Sequence, residues 1–110
     1  EYIAAGASIA AGAAEIFANA DMIVKVKEPQ PAEWRQLRPG QLLFTYLHLA
    51  SDPAQAQGLI ESGCTAIAYE TVTDAHGGLP LLVPMSEVAG RLSIEAAAFA
   101  LRRHAGGRGL

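Results

Sequence analysis

The chain has 110 residues, of which 51% are hydrophobic, so it can form one domain with a compact core. Its net charge is −3 and it has no basic run, which argues against nucleic acid as a partner. No apolar stretch approaches the roughly 18 residues of a membrane helix, and the alanine-rich start lacks the charged flank of a signal peptide. With Cys64 as the only cysteine, no internal disulfide can form, which fits a reducing compartment.

The two ends of the sequence suggest a piece of a longer chain. The first residue is Glu1, not methionine, and Leu110 follows a glycine-rich turn directly. We therefore expect an incomplete fragment of a larger subunit.

The first half of the sequence predicts two helical segments and two strands. An alanine-rich stretch over residues 3–19 predicts a helix, with Gly12 as a candidate break. Residues 22–27, "MIVKVK", predict a β-strand that two prolines stop. About one helical turn is expected over residues 32–38, and the largely apolar segment 41–47 predicts the second strand.

The next segment carries clear helix boundaries. Asp52 is a good N-cap, and Pro53 follows at the first helical position, where a missing N–H costs nothing. Gly63 is a natural end for this helix. Residues 64–70, "CTAIAYE", predict the third strand.

The last third predicts a turn, an extended piece and a long helix. Residues 74–78, "DAHGG", are typical of a turn. The prolines in residues 79–84 favour a short extended piece at a sheet edge or at the start of a strand. Ser86 is the candidate N-cap of the long helix. Its apolar face would comprise Val88, Leu92, Ala96 and Phe99, and its last turn would hold Arg102, Arg103 and His104 before Gly106 and Gly107.

Strands that alternate with single helices predict an α/β fold. Right-handed crossovers give a Rossmann-like or flavodoxin-like parallel sheet with helices on both faces. Ligands of such sheets bind at the carboxyl ends of the strands. Lys27, His48 and Glu70 all fall at such ends, which predicts a ligand site there from position alone.

The lysines of "VKVKEP" have two readings. Lys25 and Lys27 lie on one face of an extended strand, where charged residues protect a sheet edge from aggregation. Alternatively, the two ammonium groups form an anion site suited to a small carboxylate or carbonyl oxygen. Spacing alone gives both readings about even weight.

Position alone also leaves two interpretations of His48. In one, a loop carbonyl satisfies the imidazole; in the other, the imidazole serves as a general acid and base near neutral pH. A metal site is not predicted, because the three histidines are far apart in the sequence and no CxxC or HExxH pattern occurs. We interpret Cys64 and Trp34 as packing residues, and no G-x-G-x-x-G dinucleotide fingerprint is present.

Several long blocks resemble the alanine dehydrogenases. "VKVKEPQPAEWRQLRPGQLLFTYLHLA", "GCTAIAYETV", "LPLLVPMSEVAGRLS" and "GGRG" occur in the order and at the spacing typical of that family. The resemblance covers the chain from about Asp21 onward and is looser over the alanine-rich start.

The resemblance implies an enzyme that reversibly converts L-alanine, NAD and water to pyruvate, ammonia and NADH. It implies a two-domain subunit in which residues 1–105 form part of the substrate domain and residues 106–110 begin the NAD-binding domain. It also implies a cytoplasmic homo-oligomer, commonly a hexamer, with no membrane or nucleic-acid partner.

By position in the matching blocks, Lys27 corresponds to the substrate-binding lysine and His48 to the catalytic acid/base. Ser86 corresponds to a contact to NAD, Met85 lines the pocket beside it, and Glu70 is placed nearby. The family's carboxylate-binding arginine and its NAD-domain aspartate have no counterpart in these residues, so we expect this piece alone to be inactive.

Three alternatives remain at this stage. The first is the substrate-like domain of the proton-translocating nicotinamide nucleotide transhydrogenase, which does not deaminate alanine; the histidine of "FTYLHLA" favours the dehydrogenase. The second is a catalytically silent, stand-alone ligand-binding domain. The third is a relative of the opine or saccharopine dehydrogenases, which act on larger amino acids.

Overall fold

The computed structural model describes residues 1–109, which form two compact units: residues 1–70, and a second unit that begins at Thr71. The strands are β1 (Met22–Val24), β2 (Leu42–Thr45) and β3 (Thr65–Ala68). The α-helices are α1 (Ala13–Asn19), α2 (Pro31–Trp34), α3 (Pro53–Ser62) and α4 (Val83–Leu101). Short 3-10 turns lie at Ile3–Ala5, Leu49–Ser51, Tyr69–Thr71 and Arg103–Ala105.

The three strands form a parallel sheet in the order β1-β2-β3. Ile23 pairs with Leu43, and Leu43 pairs with Ala66, so the register is continuous across the sheet. α2 and α3 provide the two crossovers between the strands. The predicted parallel, Rossmann-like sheet with helices is therefore confirmed.

One face of the sheet carries the core of the first unit. Ile23 and Leu43 are buried on that face, and helical residues and loop residues around the crossovers cover them. The complete buried cluster is Phe17, Ile23, Trp34, Leu37, Leu43, Leu47 and Leu59. The interpretation of Trp34 as a packing residue is thus confirmed.

The other face of the sheet remains open within the first unit. Met22 and Val24 on β1 and Ile67 on β3 are exposed apolar side chains of this face. A helix layer on this second face remains a prediction, because Met22, Val24 and Ile67 are left exposed.

Local signals correctly placed the ends of α3. The Asp52 carboxylate accepts a hydrogen bond from the backbone N–H of Gln55 at 3.0 Å, and Pro53 occupies the first turn. Gly63 ends the helix with a φ of 66°, a conformation that costs glycine little. Gly58 is required for a different reason, since a Cβ there would lie 2.5 Å from the indole of Trp34.

The predicted helix over residues 3–19 is broken as Gly12 suggested, and is much shorter than expected. Only Ala13–Asn19 is α-helical, with Gly12 in an extended conformation as its N-cap. A 3-10 turn at Ile3–Ala5 precedes it. Alanine favours the helix, but these alanines are exposed and bury too little apolar surface to extend it.

The start of the long helix was predicted wrongly. Residues 79–84 do not form an edge strand: the N–H of Val83 donates to the carbonyl of Leu79, and α4 begins at Val83. Ser86 is therefore within the first turn and is not the N-cap. Pro84 is compatible with this earlier start, because the first turn of a helix needs no donor at that position.

The end of α4 also differs from the expectation. The helix stops at Leu101, Arg102 is extended, and Arg103–Ala105 form a separate 3-10 turn capped by Gly106. The N–H of Gly109 donates to the carbonyl of Leu101, so residues 106–109 fold back on the helix end. Leu110, the last residue of the proposed domain start, lies outside the described residues.

No helix within residues 1–109 combines the length and the apolar character that crossing a membrane requires.

Candidate active site

A polar cavity of about 300 Å³ lies in the first unit, where the segments after β1 and β2 meet the start of α3. Its wall contains Lys27 and His48, the two residues that the sequence placed at strand ends. The other lining residues are Glu28, Leu47, Ser51, Asp52 and Gln55. The parallel topology thus brings two distant parts of the sequence to one carboxyl edge of the sheet.

Lys27 is fixed through its backbone and leaves its side chain exposed. β1 ends at Val24, three residues earlier than predicted, so Lys27 belongs to the following loop. The hydroxyl of Thr45 donates to the carbonyls of Val26 and Lys27, at 3.1 and 2.8 Å. Within residues 1–109 the Lys27 ammonium has no ion-pair partner, which leaves it available for an anion.

Lys25 does not share this role. Its ammonium lies 2.5 Å from a carboxylate oxygen of Glu33 on α2. Burial raises the pKa of Glu33. Hydrogen bonds from Lys25 and the Gln30 backbone, together with the Lys25 charge, lower that pKa by more, so the net shift is downward. The reading of Lys25 and Lys27 as a joint anion site is therefore wrong, and only Lys27 faces the cavity.

His48 follows β2 in an unusual backbone conformation. It has a φ of 49°, and no other non-glycine residue among those described has a positive φ. Such a conformation persists only where neighbouring groups hold it, and it is concentrated at functional sites. The imidazole is about half exposed and stacks on Tyr46, with ring centroids 6.0 Å apart.

Polar contacts hold the His48 backbone from both sides. The Glu70 carboxylate accepts the N–H groups of Leu47 and His48, at 3.0 and 2.7 Å. The Ser51 hydroxyl donates to the His48 carbonyl at 2.8 Å, and the buried Gln55 amide donates to the Leu47 carbonyl at 2.5 Å. Together these bonds fix the direction in which the imidazole leaves the sheet.

Glu70 therefore lies behind the site and does not line the cavity. Burial raises the pKa of its carboxyl, but the backbone N–H groups of His48, Glu70 and Leu47 outweigh burial and hold the pKa below its usual value. The carboxylate is consequently ionised at neutral pH and acts as an acceptor for both amides.

We expect Glu70→Gln to reduce the acid sensitivity of the protein. A carboxyl whose pKa is lowered on folding contributes stability above its unfolded pKa of about 4.3, and loses it as the pH falls through the lower folded pKa. Between about pH 7 and pH 3.5, the thermal unfolding midpoint of the wild type should therefore fall by more than that of the variant. Glu61→Gln, at an exposed carboxylate on α3, is the control. Equal acid sensitivity in wild type and Glu70→Gln would contradict this account.

Glu28, Gln55 and Asp52 are the site residues that the sequence analysis did not identify. Glu28 directly follows Lys27 at the strand end, so its position was available as a signal. Gln55 precedes the buried Leu59 by four residues, and a polar side chain on the inward face of a helix is a second signal. Asp52 was recognised only as a cap.

Met85 and Ser86 belong to the second unit. Both lie in the first turn of α4, and Met85 lines an apolar surface cavity with Pro84, Val88, Ala89 and Leu92. The Ser86 hydroxyl is exposed and makes no hydrogen bond to any of residues 1–109. Within the same residues, no three metal-ligating side chains come together.

Comparisons with known proteins give one consistent family. Residues 1–89 match the family described as "Alanine dehydrogenase/PNT, N-terminal domain". The chain is 54% identical over 110 residues to an alanine dehydrogenase of Mycobacterium tuberculosis, covering 100% of this chain and 30% of that protein. It is 50% identical over 109 residues to an alanine dehydrogenase of Bacillus subtilis, covering 99% of this chain and 28% of that protein.

A solved structure agrees with these relatives. A chain titled L-alanine dehydrogenase superposes with a TM-score of 0.81 at 50% sequence identity, over 99% of this chain and 30% of that chain. The present chain thus spans about 30% of the length of the proteins that it matches.

Proposed function

Because the chain belongs to the alanine dehydrogenase/PNT N-terminal domain family, we propose that the protein is an NAD-dependent L-alanine dehydrogenase. It would interconvert L-alanine, NAD and water with pyruvate, ammonia and NADH. The observation that carries the proposal is the shared cavity of Lys27 and His48, which combines a free cation with a titratable base. Relatives at about half identity that are named alanine dehydrogenase support the same reaction.

Lys27 binds the oxygens of pyruvate in this proposal. Its ammonium is a movable point charge with three donors, which suits a small carboxylate or a carbonyl oxygen. The chain just before α3 borders the cavity through Ser51 and Asp52, and the first turn of α3 borders it through Gln55. The hydrogen bond from the Gln55 N–H to the Asp52 carboxylate fixes the backbone there. The remaining substrate contacts would come from other parts of the protein.

His48 is the general acid and base in this proposal. In the direction of amination, the nitrogen of ammonia forms a bond to C2 of pyruvate, and the carbonyl oxygen takes a proton from His48. His48 then accepts a proton from the added nitrogen. It donates that proton again when the C2–oxygen bond breaks and water leaves, which produces the iminium ion. The same steps run in reverse for deamination.

Ser86 and Met85 are proposed to contact the cofactor. The exposed Ser86 hydroxyl is available for a hydrogen bond, and the apolar surface around Met85 fits a flat heterocycle. NAD, when bound there, would supply the redox chemistry as the hydride acceptor. The family resemblance also supports a cytoplasmic homo-oligomer, with a hexamer as the proposed assembly.

The test is an assay of the protein at its full encoded length. We expect NADH absorbance at 340 nm to fall only when both pyruvate and ammonium are present. Loss of NADH with larger 2-oxo acids but not pyruvate would favour a relative of the opine or saccharopine dehydrogenases. Hydride transfer from NADPH to an NAD analogue, without any pyruvate reaction, would favour the transhydrogenase. No reaction in either assay would favour a silent binding domain.

A further inference from the structure

The loop after β1 holds a second carboxylate beside His48. Glu28 lies 3.5 Å from the Nδ1 atom of His48, measured from its Oε2 atom. That oxygen is shielded from solvent and has no hydrogen-bond partner within residues 1–109, although the side chain as a whole is 29% exposed. A buried acceptor without a donor is uncommon and costs free energy, so its orientation requires an explanation.

The backbone on both sides of Glu28 is restrained. Thr45 fixes the carbonyl of the preceding Lys27, and the following Pro29 is fully buried. A residue before proline is restricted to extended conformations, which limits the directions available to the Glu28 side chain. The restrained backbone therefore keeps Glu28 within reach of His48.

The charge on Glu28 suits an imidazole partner. The pKa of Glu28 lies below its ordinary value chiefly because of its own backbone N–H; burial opposes this, while Lys27 and His48 reinforce it. An ionised carboxylate accepts hydrogen bonds only, so it requires the proton of His48 to be on Nδ1. The other ring nitrogen, Nε2, has no hydrogen bond within residues 1–109 and is then the free acid/base atom.

We infer that Glu28 is a positioning residue that orients His48 and selects the tautomer with the proton on Nδ1. This inference rests on the proposed function, in which His48 transfers protons to and from the substrate. Glu28 acts through His48 and need not touch the substrate. The arrangement follows the general logic of a base that a third group orients.

The experiment is a double-mutant cycle in the protein at its full encoded length. Glu28→Gln keeps the shape and removes the charge, and we expect kcat to fall about 10- to 100-fold with the KM for pyruvate nearly unchanged. In a His48→Asn background the same change should cause no further loss, because Glu28 acts only through the imidazole. If Glu28→Gln does not fold, Glu28→Asp keeps the charge but withdraws it from His48. It should lower kcat when His48 is present and cause no further loss in the His48→Asn background.

Glu33→Gln is the matched control. Glu33 also lies beside this loop and forms an ion pair, but with Lys25 and not with His48. We expect it to lower the thermal unfolding midpoint while kcat is retained. A wild-type kcat in Glu28→Gln, or a full further loss on the His48→Asn background, would overturn the inference while leaving the dehydrogenase proposal intact. An inactive wild type would instead overturn the proposed function.

Discussion

Replacing His48 by asparagine is expected to lower kcat for pyruvate amination by about 10²- to 10⁴-fold, the usual contribution of a positioned general acid/base. Asparagine retains a polar side chain of similar reach but cannot exchange a proton at neutral pH. It also tolerates the left-handed backbone at this position better than most residues, so the φ of 49° should be preserved. The loss should therefore concern chemistry and not folding. Steady-state kinetics with NADH measures it.

His76→Asn is the matched control for this change. His76 lies in the exposed turn around Asp74, where only its backbone N–H donates to the Asp74 carboxylate. The same chemical substitution there should leave kcat and KM unchanged. A His48→Asn variant that retains near-normal turnover would mean that another group transfers the proton, and the assignment of His48 would be wrong.

The sequence predicted well those parts of the fold that depend on residues close together in the chain. Asp52, Pro53 and Gly63 fix the ends of α3 through a side-chain cap, a fixed φ and a left-handed glycine, and each effect acts within a few residues. The alternation of strands and helices then limits the topology, because parallel strands require crossovers of one hand. The carboxyl edge, with Lys27 and His48, followed from this reasoning.

The elements that were missed depend on contacts over long sequence distances or on ambiguous local signals. β1 ends at Val24, and the adjoining Lys25 pairs with Glu33 of α2, a contact that the strand-like "VKVK" pattern does not reveal. The prolines in residues 79–84 suggested an edge strand, but proline is equally compatible with the first turn of a helix. Periodicity alone does not separate these two outcomes.

The side-chain contacts of the site could not be predicted from the sequence for a related reason. The backbone of His48 is held by Glu70, which lies 22 residues further along the chain. Its imidazole lies beside Glu28, which comes from the preceding loop. Strand ends predict which residues converge at an edge, whereas side-chain partners depend on the rotamers and loop conformations that the packed structure selects.

Lys27→Met is expected to lower kcat/KM for pyruvate by about 10- to 100-fold, mainly through a higher KM. Methionine preserves much of the aliphatic length but removes the charge, and a hydrogen bond to a charged group contributes about 1.5–3 kcal/mol. The Lys27 ammonium is exposed and forms no ion pair within residues 1–109, so its removal breaks no direct contact. Stability should therefore be nearly unchanged. Initial rates over a range of pyruvate concentrations measure the effect.

Lys25→Met, two residues earlier, separates substrate binding from general charge loss in this loop. That change removes the partner of the half-buried Glu33 carboxylate, so it should lower the thermal unfolding midpoint and leave the KM for pyruvate unchanged. Equal effects of both variants on KM would indicate that net positive charge alone attracts pyruvate. Unchanged kcat and KM in Lys27→Met would exclude Lys27 from the substrate site. A specific role for Lys27 thus predicts opposite outcomes for two lysines of the same strand-end segment.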